Sequence, residues 1–416
     1  MSRPLPLAGV RVVEFSHMVM GPTCGLVLAD LGAEVVKIEP LPDGDNTRRL
    51  PGSGAGFFVT FNRNKRSVAL DLKSPKGLAF AKRLIQRADV VTENFRPGAL
   101  EKLGLGYDAL KADNARLIYC SLKGFLSGPY QHRAALDEVV QMMGGLAYMT
   151  GPPGRPLRAG ASVNDIMGGM FAAIAILAAL HERERTGHGQ FVKSALFESN
   201  VFLVAQHMLQ YAVTGKPAAP MPQRISAWGV YDVFDVANGE QVFIGVVTDT
   251  QWRAFCAEFK RDDLLADAEL ASNPQRVAAR ERLIPILRAL FAGISRDEAI
   301  RRCEQAQLPF APITRPEQLF DDPHLACPGA MVEVTLPSGR TSPAPALPIE
   351  MDGHRFGLRH DVPRVGEDGA AVARELGYAQ SEIDALVADS VLGRDAKPPH
   401  TDDDTKPNVA LRARSA

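Results

Sequence analysis

Cysteine is scarce in this chain, and its distribution excludes two ways of stabilising a small fold. Five cysteines occur in 416 residues, none of them in a C-x-x-C pair: Cys24, Cys120, Cys256, Cys303 and Cys327. An odd number at wide spacing predicts neither a zinc site nor a disulfide framework, and it indicates a reducing compartment. The opening residues, MSRPLPLAGVRVVEF, lack the apolar core and cleavage site of a signal peptide. We therefore expect a cytoplasmic protein.

The chain also has no excess of charge of either sign. Its 47 Lys and Arg residues balance 48 Asp and Glu residues, and no long basic run lies in the region expected to fold. Neither nucleic acid nor an anionic membrane is therefore expected as a partner. The nine histidines show no metal-ligand spacing, so no metal site is predicted. The length of 416 residues predicts two or three domains, and a hydrophobic content of 46% is sufficient for substantial cores.

The common nucleotide-binding and hydrolase motifs are missing. The chain contains no P-loop, no H-E-x-x-H and no G-x-S-x-G. Between Phe15 and Leu26 it reads SHMVMGPTCG, which lacks the G-x-G-x-x-G spacing of a dinucleotide site, although Glu39 ends the second predicted strand. An oxidoreductase that uses a nicotinamide cofactor is therefore disfavoured.

The first half of the chain alternates between strand and helix patterns. Strands are predicted at 10–15, 34–38, 67–71, 90–92, 117–121 and 190–195, and helices at 23–31, 74–86 and 197–213, with a loop at 17–22. This alternation predicts an α/β fold with a mostly parallel sheet covered by helices.

The pattern changes after a proline-rich connector at 215–222. Strands at 230–236 and 241–246 flank Asn238-Gly239, which is a strong hairpin signal. Helices predicted at 250–259, 280–291 and 296–307 complete a smaller α+β unit. Strands, turns and a final helix follow from about residue 319, and a polar tail from 397 is predicted to be disordered.

One carboxylate, Asp165, stands at the head of a wholly apolar run at 166–180. These 15 residues are fewer than the roughly 18 needed to span a bilayer, so they predict a buried core helix. A carboxylate in such surroundings must be paired, hydrogen-bonded or used in chemistry. Asp165 is therefore either the N-cap of this helix or a catalytic group, and the two roles are compatible. Gly168-Gly169, placed in the first turn, allows close approach of a ligand or another backbone.

Several sequence blocks, in one order along nearly the whole chain, carry a family resemblance. They are PLAGVRVVEFSHMVMGPTCGLVLADLGAEVVKIEP at 6–40, NRNKRSVALDLKSPKG at 62–77, DVVTENFRPGALEKLGLGY at 89–107, YCSLKGFLSGPY at 119–130, NDIMGGMFAAIAILAALHERERTGHGQ at 164–190, and the hairpin region around 230–245. Together they resemble the class III CoA-transferase family, which also contains the α-methylacyl-CoA racemases.

The resemblance implies a domain plan. A Rossmann-like large domain with a parallel sheet binds CoA. Its N-terminal part is 1–200, and its C-terminal part, together with a linker, is 311–396. A linker at 201–225 leads to a smaller α+β domain at 226–310, and the tail occupies 397–416. The resemblance further implies an interlocked homodimer, with CoA rather than NAD at the nucleotide site.

The resemblance also assigns site residues. It places the nucleophile at Asp165 and a second carboxylate at Glu138, which as an alternative is an ordinary polar residue on a helix. CoA contacts fall on Val19, Met20, Leu70, Asp71, Leu72, Lys73, Asn94, Phe95, Arg96 and Lys102. Some transferases have glutamine where this chain has Val19, and arginine where it has Pro40. No tightly bound cofactor is implied, since the CoA thioester is the substrate.

The predicted function is CoA transfer from an acyl-CoA to a small carboxylic acid through an aspartyl covalent intermediate. The donor expected from the resemblance is succinyl-CoA or another short dicarboxyl-CoA, with Arg133 and Arg224 as candidate clamps for a distal carboxylate. The main alternative is racemisation, which needs two proton carriers. The racemase histidine position holds Leu136 here, which favours transfer. A non-catalytic CoA-binding protein is a third possibility, and the presence of Asp165 speaks against it.

Overall fold

The computed structural model describes residues 4–224 and 226–394, so the predicted tail at 397–416 lies outside the described residues. The chain forms two compact units. The first contains the residues up to Pro222 together with those from Phe320 onward, and the second is Gln223–Leu319. Each unit has its own hydrophobic core.

A six-stranded parallel sheet forms the centre of the first unit. Its strands are β1 (Arg11–Phe15), β2 (Glu34–Glu39), β3 (Lys65–Ala69), β4 (Val90–Glu93), β5 (Ile118–Lys123) and β6 (Phe191–Ala195). They lie in the order β3-β2-β1-β4-β5-β6. Val12 and Val13 in β1 face opposite cores, because successive side chains alternate across a strand. Both sheet faces are therefore buried, and the predicted α/β class with a parallel sheet is confirmed.

Helices cover both faces of this sheet. In this part of the first unit they are α1 (Met20–Asp30), α2 (Phe57–Phe61), α3 (Pro75–Ile85), α4 (Tyr107–Leu110), α5 (Asp137–Met143), α6 (Leu146–Thr150), α7 (Val163–Thr186) and α8 (Leu196–Thr214). α3 contributes to one core, and α1 and α7 contribute to the other.

Helix α1 begins within the predicted loop at 17–22. The carbonyl of Val19 accepts a hydrogen bond from both the backbone N–H and the hydroxyl of Thr23, each at 2.8 Å. Pro22 stands in the first turn, where a missing N–H costs no intrahelical hydrogen bond. Proline therefore marks the start of this helix rather than the end of a loop.

Two glycines bring α7 against the start of α1. A Cβ atom on Gly169 would lie 2.5 Å from the carbonyl oxygen of Met20, and one on Gly168 would lie 2.5 Å from the end of the Met20 side chain. The predicted close approach of another backbone is confirmed. Its predicted place in the first turn is wrong, because α7 begins at Val163 and the glycines lie in its second turn.

The length and composition of α7 would also allow it to cross a membrane, a property that core helices of soluble proteins share. One face of α7 is buried against α1 and the sheet, and the opposite face exposes Met170, Phe171 and Ile174. Residues 201–214, predicted as part of a linker, belong to α8. They stay helical because neither Gly nor Pro interrupts them before Gly215, which ends the helix at a φ of 67°.

The second unit is a small α+β fold. Its antiparallel sheet contains β7 (Val230–Asp235), β8 (Gln241–Val246) and β9 (Phe310–Pro312), and its helices are α9 (Asp249–Glu258), α10 (Asp262–Ala266), α11 (Asn273–Ala278), α12 (Arg280–Ala292) and α13 (Arg296–Gln305). Asn238 and Gly239 both have positive φ, at 65° and 72°, between β7 and β8. The hairpin predicted from this dipeptide is therefore present.

The chain from Phe320 returns to the first unit. It contains the strands β10 (Met331–Thr335), β11 (Thr341–Pro345), β12 (Glu350–Met351) and β13 (His354–Arg355), and the helices α14 (Gly369–Glu375) and α15 (Gln380–Ala388). Beyond α15, Leu392 forms an antiparallel bridge with Leu70 at the end of β3. The last described residues thus lie at the carboxyl edge of the parallel sheet.

Candidate active site

A cleft of about 1090 Å³ opens at the carboxyl ends of β1 to β4. The strand order reverses direction between β1 and β4, and in open α/β sheets ligands bind at such a switch point. The cleft is lined by the segments 15–17, 38–42, 45–46, 70–73, 95, 99, 102–103, 387, 390 and 392–394. Its size and position suit a nucleotide-sized ligand.

Two acidic residues of the cleft wall are already paired. Glu39 accepts from the guanidinium of Arg48 at 2.6 and 2.8 Å, and Asp45 lies 3.1 Å from the ammonium of Lys37. Although burial opposes it, Arg48 lowers the pKa of Glu39, so this carboxylate stays ionised. The charges of these two acids are thereby neutralised by their own neighbours, whereas Asp71, which also lines the cleft, accepts a hydrogen bond from the N–H of Lys73 at 3.0 Å.

A buried ionic cluster lies behind the cleft. The carboxylate of Glu14 is 3.3 Å from the ammonium of Lys37 and 2.9 Å from that of Lys65, and all three side chains are fully buried. Burial lowers the pKa of Lys65 to about 8 despite the nearby Glu14. Lys37 donates a hydrogen bond of 2.7 Å to the carbonyl of Ser16. The cluster therefore holds the loop that leaves β1 for the cleft.

Asn94 holds the same loop from the other side. Its side chain accepts from the N–H of His17 at 3.0 Å and donates to the carbonyl of His17 at 2.7 Å. The ring of His17 lies 5.5 Å from that of Phe95, and both line the cleft. Met18 adopts a φ of 64°, in the left-handed region that non-glycine residues rarely occupy. Asn94 therefore supports a loop conformation that would otherwise be unfavourable.

The structure brings together most of the residues predicted to contact CoA. Those that line the cleft are Leu70, Asp71, Leu72, Lys73, Phe95 and Lys102. Val19 and Met20 are buried at the start of α1, Asn94 holds the loop before it, and Arg96 is exposed after β4. These four do not line the cleft, and their contacts with CoA stay predictions.

Asp165 is the third residue of α7 and is not its N-cap. Ser162 occupies the N-cap position without a side-chain hydrogen bond. The free amides of the first turn are instead bound by the carboxylate of Asp137, which accepts from Asn164 at 2.8 Å and from Asp165 at 3.4 Å. The N-cap prediction is therefore wrong, because a side chain from α5 takes that role and leaves the Asp165 carboxylate available.

The surroundings of Asp165 favour its neutral form. Burial, and then the negative charge of Asp137, raise its pKa to about 7, while Arg158 acts in the opposite direction. Asp165, Gly168 and Gly169 share one helical face, since residues three and four apart are neighbours on a helix. Gly168 and Gly169 on this face pack against Met20 at the start of α1, whereas Asp165 itself is not among the residues that line the cleft.

The second carboxylate beside Asp165 is Asp137. Asp137 is buried, and its second oxygen accepts from Gln141 at 2.5 Å and lies 3.5 Å from Arg158. Glu138, the residue assigned from the resemblance, is exposed and pairs with Arg158 at 2.8 Å. The two acids are adjacent in sequence, and they differ in that Asp137 lies on the side of α5 that faces α7. The sequence alone does not show which side of α5 packs against α7, so it could not distinguish Asp137 from Glu138.

The two arginines proposed as clamps belong to different units. The Arg133 guanidinium lies 4.9 Å from the ring of Tyr130 in the first unit, and that of Arg224 lies 5.9 Å from the ring of Tyr231 in the second. Both arginines are exposed. Each guanidinium lies near an aromatic ring, and their part in binding a carboxylate stays a prediction.

Comparison with known proteins covers most of the chain. The model of CoA-transferase family III matches residues 7–369. A succinate–glutarate CoA-transferase of Agrobacterium fabrum is 34% identical over 387 residues, which cover 90% of this chain and 96% of the relative. A succinyl-CoA:glutarate CoA-transferase of Mus musculus is 31% identical, covering 93% and 90%.

Solved structures agree with these relatives. The crystal structure of a CAIB/BAIF family protein from Brucella suis is 34% identical, with a TM-score of 0.80 over 90% of this chain and all of that one. The structure of Rv3272 from Mycobacterium tuberculosis is 30% identical, with a TM-score of 0.76 over 89% of this chain. The likeness therefore extends over the fold as well as the sequence.

Proposed function

The chain belongs to CoA-transferase family III, and we propose that it transfers CoA from succinyl-CoA, or another short dicarboxyl-CoA, to a free carboxylic acid through a covalent intermediate on Asp165. Transfer of CoA follows from family membership. The choice of donor is supported by the succinyl-CoA donors in the names of several relatives. The observation that supports Asp165 is the pKa of its carboxylate, which burial and Asp137 raise to about 7, in the first turn of a helix that packs against the start of α1.

The proposed reaction has four covalent steps. An oxygen of the Asp165 carboxylate attacks the thioester carbonyl, which forms a mixed anhydride and releases CoA thiolate. The thiolate attacks the aspartyl carbonyl, which releases the donor acid and leaves an aspartyl-CoA thioester. The acceptor carboxylate attacks this thioester to give a second anhydride and the thiolate again. Attack of the thiolate on the acceptor carbonyl yields the new acyl-CoA and regenerates Asp165.

We propose that Asp137 and Arg158 tune this nucleophile. A poorly solvated carboxylate is a better nucleophile than a fully hydrated one, because it has fewer hydrogen bonds to lose before it attacks. Asp137 orients the first turn of α7 by accepting from two of its amides. Arg158 offsets part of the charge of the pair, lying 3.5 Å from Asp137. A role for Glu138 close to the reacting atoms stays a prediction.

The cleft is the proposed CoA site. Lys73 and Lys102 line it after β3 and near β4, on two sides of the space that the strand ends enclose. Ammonium groups at these places suit the phosphates of CoA. The loop at 16–19 leads from this site to the start of α1, and α7, the helix that carries Asp165, packs against α1. CoA bound in the cleft would therefore direct its thioester along that loop toward the nucleophile.

Racemisation receives no support from the site. Leu136, at the position of the racemase histidine, is 62% exposed and cannot carry a proton. The arginines proposed to bind a distal carboxylate, Arg133 and Arg224, stay candidates for the choice of acid.

A homodimer, interlocked as in the resemblance, and a cytoplasmic location complete the proposal. Both ends of the chain contribute to the first unit. Large apolar side chains are exposed on its helices α5, α7 and α8, among them Met142, Ile174, Phe202, Leu209 and Val213. Apolar exposure on this scale is typical of a surface that another chain covers. The five cysteines are free, which suits a reducing compartment.

Trapping of the intermediate tests the mechanism. Incubation with succinyl-CoA in the absence of an acceptor should leave Asp165 activated, because the first half-reaction proceeds alone. Hydroxylamine treatment followed by peptide mapping should then modify Asp165, and Asp165→Asn should abolish the modification. Modification of Asp137 or Glu138 instead would reassign the nucleophile, and CoA transfer without any trapped ester would contradict the covalent mechanism.

A further inference from the structure

The last described segment of the chain, Ser390–Arg394, forms one wall of the cleft. The N–H of Asp71 donates to the carbonyl of Val391 at 3.0 Å, and the N–H of Gly393 donates to the carbonyl of Ala69 at 2.8 Å. A Cβ atom on Gly393 would lie 2.7 Å from Ala69 and 2.9 Å from Leu41. The backbone just before Arg394 is thus fixed between the ends of β2 and β3.

Arg394 lies at the cleft and is not needed to neutralise Glu39 or Asp45. Glu39 is bound to Arg48 and Asp45 to Lys37, so these carboxylates do not need another partner. Asp71, the third acid of the cleft, accepts a hydrogen bond from the N–H of Lys73 and forms no ion pair with Arg394 among the described residues. Among residues 4–224 and 226–394, Arg394 forms no ion pair, and it is exposed at the cleft. Pro40, on the same wall at the end of β2, offers neither a charge nor an N–H donor. Arg394 is therefore the cation on this wall that a bound anion can meet.

We propose that Arg394 binds a phosphate group of the CoA substrate, a role that rests on the proposed function of the cleft. Lys73 and Lys102 supply point charges, whereas a guanidinium presents a planar fork that matches two phosphate oxygens. CoA carries a pyrophosphate and a 3′-phosphate, and Arg394 lies on the wall formed by β2, β3 and the chain end. The C-terminal segment thus contributes a binding residue to a site otherwise built by the loops after β1 to β4.

Steady-state kinetics with succinyl-CoA and a dicarboxylic acceptor test the proposal. Arg394→Gln should raise the KM for succinyl-CoA about tenfold, which is the usual consequence of losing one charge-assisted hydrogen-bonding group. The kcat and the KM for the acceptor should change less than twofold. Arg394→Lys should recover part of the loss, because it restores the charge without the fork. Arg374→Gln, an exposed arginine on α14 away from the cleft, is the matched control.

Succinyl-dephospho-CoA distinguishes the two phosphate positions. If Arg394 binds the 3′-phosphate, this donor should be equally poor with wild type and Arg394→Gln. If Arg394 binds the pyrophosphate, the variant should lose about tenfold with both donors. Either result supports the proposal. An unchanged KM for succinyl-CoA, or an equal rise with Arg374→Gln, would overturn it.

Calorimetric titration with free CoA separates this inference from the proposed function. An absence of CoA transfer by the wild type, together with CoA binding that Arg394→Gln weakens about tenfold, would refute the function and keep the phosphate contact. Active wild type and equal CoA affinity in the variant would refute the contact alone.

Discussion

Replacing the nucleophile with its neutral isostere should make the protein more stable while it removes activity. Burial and the neighbouring Asp137 raise the pKa of Asp165 from an ordinary 3.8 to about 7. At 1.36 kcal/mol per pH unit, this difference corresponds to about 4 kcal/mol by which the folded state disfavours the ionised group. Local relaxation reduces the effect, so Asp165→Asn should be more stable than the wild type by about 1 to 4 kcal/mol at pH 8.

The sign of the pH dependence follows from the raised pKa. Between pH 4 and pH 7 the folded wild type holds a proton on Asp165 that the unfolded chain has released. The stability of the wild type relative to Asp165→Asn should therefore fall as the pH rises through this window, and stay constant above it. At pH 4 the two proteins should differ little. The CoA-transfer rate of the variant should be lower by several orders of magnitude at every pH.

Urea unfolding at fixed protein concentration, from pH 4 to pH 8, measures the effect. Glu138→Gln is the matched control, because this exposed carboxylate is ion-paired with Arg158, in the segment between α6 and α7, and should give no such gain. Equal m-values are required for the comparison. A variant no more stable than the wild type at pH 8, or a gain independent of pH, would refute the assignment of Asp165 as an uncompensated carboxylate.

Three further outcomes follow from the same site and surfaces. The kcat/KM for succinyl-CoA should rise about tenfold per pH unit below pH 7 and level off above it, since only ionised Asp165 attacks; a rate independent of pH between 5 and 8 would contradict this. A 2-methylacyl-CoA in deuterated water should not exchange its α-proton at a catalytic rate, because Leu136 carries no proton; rapid deuterium uptake measured by mass spectrometry would indicate a racemase. Sedimentation over a wide concentration range should show a dimer without folded monomer, as an interlocked assembly requires; a reversible monomer–dimer equilibrium would exclude interlocking.

The alternating sheet and helix pattern was predictable from the sequence because each element carries its own local signal. Buried parallel strands such as β2, which reads EVVKIE, are short segments rich in β-branched apolar residues. The Asn238-Gly239 turn specifies its hairpin by backbone preference alone. The start of α1 was not predictable in this way. Pro22 is compatible with both a loop and a first helical turn, and the hydrogen bonds of Thr23 with Val19 decide between them.

The sequence predicts those residues of the candidate site that stand out in their local sequence, and not those whose role depends on packing. Asp165 stands out because it is a lone charge beside an apolar run. Asp137 does not, because its burial comes from the packing of α5 on α7, and the adjacent Glu138 has the same chemical character. Asn94 acquires its role from hydrogen bonds with His17, which is 77 positions away in the sequence. The backbone that precedes Arg394 is held by the hydrogen bond of Gly393 with Ala69, which is 324 positions away. No local pattern encodes such contacts.

Glu39 and Asp165 are carboxylates of the first unit whose pKa values shift in opposite directions. Glu39 receives donors from Arg48 and Ser67, and its pKa is lowered even though burial opposes this. Asp165, within the part of the chain that the structure describes, has its pKa raised by burial and by Asp137, and no hydrogen bond to its carboxylate offsets this. Buried charges that hold the cleft in shape are thus satisfied, because an unpaired one would weaken the fold. Asp165, whose carboxylate accepts no such hydrogen bond within the described residues, is the proposed nucleophile. Because its ionised form destabilises the folded state, we expect that it is retained for chemistry.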